Sequence, residues 1–81
     1  MIELTDEIIL RVEKLIEDFW YSAFDIGMIA IDGEEIPKQY ADDNIFIEFY
    51  NGVKDSKSVT EMGKICLPKY IRRELKQLKI T

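Results

Sequence analysis

The chain has 81 residues, of which 47% are apolar and 33% charged, and its formal net charge is −5. This length provides one small domain, residues 1–81, and the composition excludes a disordered chain. There is no run of about 18 apolar residues to span a membrane, and the acidic N-terminus does not fit a secretion signal. We therefore expect a cytoplasmic protein with no membrane contact.

The first predicted element is an amphipathic helix over residues 6–26. Thr5 precedes two acidic residues, which is the pattern of an N-cap followed by an acidic first turn. Apolar residues then recur at steps of three and four. The aromatic members of this stripe are expected in the core or at a dimer seam, with an exposed binding surface as the alternative; they are Phe19, Trp20 and Phe24.

The middle of the chain, residues 28–67, is predicted to form a hairpin and short strands. Asp32-Gly33 lies between two apolar stretches and favours a tight turn. The following segment NIFIEFYNG is rich in β-branched and aromatic residues, which indicates a strand closed by a turn at Asn51-Gly52. Two further short strands are expected on either side of Gly63.

Pro68 is expected to end the last strand and to start a short C-terminal helix. That helix is predicted to bury Ile71, Leu75 and Leu78. The expected fold class is therefore α+β, with a long N-terminal amphipathic helix, a small and mostly antiparallel sheet and a short C-terminal helix.

Side chains for the commonest catalytic chemistry are missing. The chain has no histidine and a single cysteine, Cys66, so hydrolysis by a triad is excluded. None of the four glycines belongs to a phosphate-binding motif. The acid pairs Glu34-Glu35 and Asp42-Asp43 are interpreted as solvated loop charge. We expect a protein that is not an enzyme and that has no metal or cofactor.

The charge is distributed unevenly along the chain. Residues 1–50 contain thirteen acidic and three basic residues, whereas residues 51–81 contain three acidic and eight basic residues. This asymmetry indicates an anionic partner for the C-terminal part, or attraction between the two halves within a homodimer. A plain solvated basic face is the simplest interpretation of the cations alone.

The stretch KSVTEMGKICLPKYIRREL, residues 57–75, resembles the N-terminal half of swapped-hairpin DNA-binding domains of the SpoVT/AbrB and MazE type. The resemblance implies a strand-turn-strand-helix segment over residues 57–79 within an intertwined homodimer. The second hairpin of that family does not follow, and residues 28–36 have the look of one. The resemblance also implies four DNA contacts, which are Lys57, Lys64, Arg72 and Arg73.

The function implied by the resemblance is that of a small transcriptional regulator that binds DNA as a homodimer. The alternative is a small acidic inhibitor or adaptor that binds protein. Such a protein acts through the acidic residues 1–50 as a nucleic-acid mimic, through its aromatic helix, or by forming inactive mixed dimers with a family member.

Overall fold

The computed structural model describes residues 3–77 and contains three α-helices. They are α1 (Asp6–Ile31), α2 (Asn44–Ser56) and α3 (Val59–Gln77), and a short 3-10 turn (Lys38–Tyr40) lies between α1 and α2. No strand is present in this described part of the chain. The predicted α+β class with an antiparallel sheet is therefore wrong, and the swapped-hairpin fold implied by the resemblance is wrong with it.

The predicted start of α1 is confirmed. Thr5 is the N-cap, and its hydroxyl oxygen accepts a hydrogen bond from the Ile8 amide at 3.3 Å. The helix nevertheless continues through Gly27 to Ile31, beyond the predicted end at residue 26. The predicted turn at Asp32-Gly33 closes this helix: Asp32 is the C-cap and Gly33 has a φ of +78°. The apolar stretch before it is helical, so no hairpin forms.

The connection between α1 and α2 runs back along the bundle. The Tyr40 hydroxyl donates a hydrogen bond to the Ser22 hydroxyl at 3.4 Å, and the Tyr50 hydroxyl donates to the Glu34 carbonyl. The Tyr40 contact returns the chain to the level of Ser22 before α2 begins, and the Tyr50 contact ties α2 to the start of the connection. As a result α2 runs in the same direction as α1, and α3 runs antiparallel to both.

The segment predicted as a strand, NIFIEFYNG, lies within α2. The Asp43 carboxylate caps the helix by accepting hydrogen bonds from the Ile45 and Phe46 amides at 3.0 and 3.4 Å. Phe46, Phe49 and Val53 recur at helical spacing and are buried. Burial of this face outweighs the β-propensity of the individual residues.

The segment predicted as two strands and a turn lies within α3. The Ser58 hydroxyl accepts a hydrogen bond from the Glu61 amide at 3.3 Å at the start of this helix. Gly63 and Pro68 both lie inside it, and neither interrupts it. Ile71 and Leu75, predicted to be buried, are half-buried. Residues 78 and 79 of the predicted segment, including Leu78, lie outside the described residues.

The core is small and aromatic at its centre. The Phe19 ring lies 5.8 Å from that of Phe46, 6.3 Å from that of Phe49 and 5.0 Å from that of Tyr70. These rings join all three helices at one level. Eight side chains within residues 3–77 are buried, namely Phe19, Ala23, Ile26, Ala30, Phe46, Phe49, Val53 and Cys66.

Candidate functional site

The three aromatic residues predicted for core or interface have different surroundings. Phe19 is fully buried, as expected of a core residue. Trp20 is half-buried, and its ring lies so close to Gly63 that a Cβ there would come within 2.4 Å of it. Phe24 is 57% exposed. The structure therefore places one of the three in the core, one between α1 and α3, and one on the surface.

Phe24 belongs to a second apolar stripe on α1. Tyr21 and Met28 precede and follow it at helical spacing and are 70% and 42% exposed, and Ile31 continues the stripe. At about 100° per residue these four residues lie roughly 120–200° around α1 from Phe19, outside the core. The apolar surface of this helix therefore exceeds what the core uses. This excess of apolar surface can be seen in the sequence, because apolar residues of α1 occupy nearly every direction around the helix after Glu17.

A second apolar surface, made of half-buried side chains, lies on α3. Leu67, Ile71 and Leu75 line a shallow open depression together with Pro68 and Arg72. The opposite flank of α3 is taken by α2, as the Lys69–Glu48 and Arg73–Asp43 salt bridges show. The depression therefore faces away from α2.

The two apolar surfaces meet where Trp20 packs over Gly63. Together they form a diagonal across the face that α1 and α3 share on the side away from α2. We call this diagonal the apolar band; it consists of Trp20, Tyr21, Phe24 and Met28 of α1 and Leu67, Ile71 and Leu75 of α3. An open depression at its α1 end is lined by Trp20, Tyr21, Phe24 and Asp25.

The charges beside the apolar band differ between the two helices. Residues 15–37 contain no lysine or arginine, and their acids are Glu17, Asp18, Asp25, Asp32, Glu34 and Glu35. On α3 the exposed side chains beside the band include the cations Lys64 and Arg72. The band therefore has an acidic margin on α1 and a basic margin on α3.

The four predicted DNA contacts are not brought together as a sheet edge would bring them. Lys57 adopts a left-handed conformation, with a φ of 57°, at the C-cap of α2. Lys64 and Arg72 are both exposed on α3 but are eight residues apart, which is about 12 Å along a helix. Arg73 is only partly exposed and lies against α2.

Arg73 is held by protein carboxylates. Its guanidinium donates to the Asp43 carboxylate at 2.9 Å and forms a salt bridge with Glu74 at 3.2 Å, and it lies 5.1 Å from the centre of the Tyr70 ring. Burial alone lowers the pKa of Arg73, but the hydrogen bonds and charges of Asp43 and Glu74 outweigh this effect and raise it. The side chain ties α3 to the start of α2.

Lys69 is also engaged within the chain. Its ammonium group donates to both Glu48 carboxylate oxygens, at 2.8 and 3.1 Å, and this hydrogen bond raises the pKa of Lys69. Lys69 lines a surface depression with Arg72, Arg73 and Lys76. Since carboxylates already neutralise two of these four cations, the depression is a weak anion site.

The single thiol offers no reactive site. Cys66 is fully buried, and burial, followed by the negative charge of Glu48, raises the pKa of its thiol. Within residues 3–77, no three potential ligands of the His, Cys, Asp or Glu type are grouped to hold a metal ion. None of the described helices is long and apolar enough to cross a membrane.

No family model, curated protein or solved structure matches the chain.

Proposed function

We propose that the protein acts by binding another polypeptide chain through the apolar band, as a small helical protein-binding domain. The observation that carries this proposal is the exposure of Tyr21, Phe24 and Met28 as one stripe outside the core. A contiguous apolar surface bordered by polar residues is typical of a protein interaction site. Large aromatic side chains also contribute most of the binding energy at many interfaces.

The apolar band brings together an aromatic and an acidic binding surface, which the sequence leaves as separate alternatives. From the sequence alone, the aromatic residues and the acidic residues of the N-terminal half are two separate candidate binding surfaces. On α1 they are neighbours, since Asp25 lines the same depression as Phe24. Apolar side chains supply the affinity by leaving water, and the acidic margin selects against anionic partners.

A DNA partner has less support from the described residues. Arg73 is paired with carboxylates, and Lys57 is the C-cap of α2 whereas Lys64 lies in the second turn of α3. The acids near the band repel phosphates. A polypeptide with apolar anchors therefore fits this surface better than a nucleic acid does.

The proposal is tested by photo-crosslinking from the band. A benzophenone amino acid replaces Tyr21 in the full chain, and a matched control carries it at Asn51, which is exposed on α2. We expect irradiation in cells to produce a discrete polypeptide adduct from position 21 and none from position 51. Mass spectrometry identifies the polypeptide, and Phe24→Ser in the same chain is expected to abolish the adduct.

Three results contradict the proposal. These are the absence of any adduct at position 21, adducts of equal yield at positions 21 and 51, and an adduct to nucleic acid. Circular dichroism of the Phe24→Ser variant checks that the helices remain, which is expected because Phe24 lies outside the core.

A further inference from the structure

We infer that the polypeptide covering the apolar band is a second copy of this chain, related by a two-fold axis that runs along the band. This inference rests on the proposed function and names the partner of the same surface. It follows from how apolar and charged residues alternate over the face that α1 and α3 share.

Each of the two helices contributes two halves to this face, one toward each end of the bundle, so the face has four quarters. Beside the Gly27 end of α1, the stripe around Phe24 is apolar, while at the other end the same side of the helix carries Glu13 and Glu17 around the exposed Leu10. On α3 the order is reversed along the bundle. Lys64 lies in the half beside the Phe24 stripe, and Leu67, Ile71 and Leu75 follow in the half beside the two glutamates, because the two helices are antiparallel.

An axis along the diagonal makes this pattern self-complementary. Each apolar quarter then faces its own copy across the interface. The quarter of one chain that carries Glu13 and Glu17 faces the quarter of the other that carries Lys64, so that Glu17 of each copy lies opposite Lys64 of the other copy. Isologous contacts of this kind are made twice in a two-fold dimer.

Glu17 and Lys64 are available for this contact. Both are exposed, and neither takes part in a salt bridge within residues 3–77. The charges of α1 and α3 are complementary, but among the described residues no salt bridge joins these two helices. Both side chains are therefore free to pair across an interface between chains.

The size of the core supports a second copy. With eight buried side chains among residues 3–77, a domain of this length gains little stability from its own interior. A dimer across the band removes Tyr21, Phe24 and Met28 from water in both chains. Self-association is a common way in which short chains extend their cores.

Sedimentation velocity of the full chain over a range of concentrations tests the dimer. We expect a reversible monomer–dimer equilibrium in the wild type. Phe24→Glu places a charge in the band and is expected to shift the protein to monomer, while Asn51→Glu on α2 leaves the equilibrium unchanged. Both residues are exposed in the monomer, so circular dichroism should show the same helices in each variant.

Charge reversal tests the position of the axis. Glu17→Lys alone and Lys64→Glu alone are each expected to raise the dimer dissociation constant about tenfold, since each places like charges opposite one another twice. The double variant carries the pair in reversed order, and its dimer dissociation constant should return to within about threefold of the wild-type value. A dimer that the single reversals weaken and the double variant does not restore overturns this axis.

The outcomes separate the inference from the proposed function. A chain that stays monomeric at every concentration, yet yields an adduct with a different protein from position 21, overturns the dimer and leaves the proposed function standing. A dimer that Phe24→Glu does not weaken places the interface elsewhere and overturns the inference. A monomer without any adduct at position 21 overturns both.

Discussion

At the scale of single residues, three glycines decide how closely the helices approach. A Cβ at Gly27 would lie 2.6 Å from a methyl group of Val59, and one at Gly52 would lie 2.1 Å from the Met62 terminal methyl. Gly63 receives the Trp20 ring in the same way. Each helix thus contributes one glycine that accepts a side chain from a neighbouring helix.

Two of these glycines should respond to alanine in opposite ways. Gly27→Ala is expected to lower the free energy of unfolding by about 1–2 kcal/mol, because the stiff β-branched Val59 cannot move away easily and overpacking exceeds the gain in helix propensity. Gly52→Ala is expected to be neutral or to raise it by up to about 1 kcal/mol, because the flexible Met62 end can rotate.

Urea denaturation followed by circular dichroism measures both values. The two substitutions are chemically identical, so their difference reports the neighbouring side chain alone. An equal effect at the two positions would show that helix propensity, and not the space around each glycine, determines the response.

At the scale of elements, α3 is notable for the proline in its interior. Pro68 has no amide hydrogen, so it cannot donate to the carbonyl of Lys64 one turn earlier. An interior proline costs about 3 kcal/mol relative to alanine in a helix. The helix persists because Cys66 and Tyr70 on either side of Pro68 pack against the other two helices.

Pro68→Ala should therefore stabilise the protein. The side chain is exposed, so its removal opens no cavity, and the new amide can complete the helix. We expect the free energy of unfolding to rise by about 1–3 kcal/mol. Pro37→Ala in the connecting segment is the control, and it should lower stability slightly by loosening the unfolded chain. A loss of stability in Pro68→Ala would show that the proline shapes α3 for its packing.

At the scale of the whole molecule, the three helices differ in length and are covered unequally. The first fully buried residue of α1 is Phe19, so the helix between Asp6 and Asp18 has no fully buried side chain. The bundle is correspondingly elongated, with extents of 43, 22 and 16 Å. Stability is concentrated where α2 and α3 both pack against α1.

Hydrogen exchange should show this gradient. Amides of residues 9–17 are expected to exchange well before those of residues 22–30, because local opening of the first half of α1 exposes little buried apolar surface. Mass spectrometry of peptic fragments over a time course measures the order. The time course is run at a concentration at which the chain is monomeric, and equal protection of the two halves would then contradict the gradient.

Some features of the fold were predictable from local sequence. The Thr5 cap and the helical spacing up to Phe24 depend on neighbouring residues only, and α1 begins as predicted. The turn at Asp32-Gly33 is also present, although it ends a helix. The predicted strands are wrong because Ile and Phe occur in both strands and helices, and burial of one face decides between the two in α2. Gly63 and Pro68 were interpreted as breaks, yet both lie inside α3.

The sequence by itself determined the acidic first half, the basic last third, the absence of histidine and the first helix. Only the tertiary structure decided which apolar residues remain outside the core. Spacing along α1 cannot distinguish Phe19 from Phe24, since both belong to helical stripes. The approach of α2 and α3 to one side of α1 buries the first and exposes the second. The apolar band exists because α2 and α3 cover only one side of α1, and α1 and α2 cover only one side of α3.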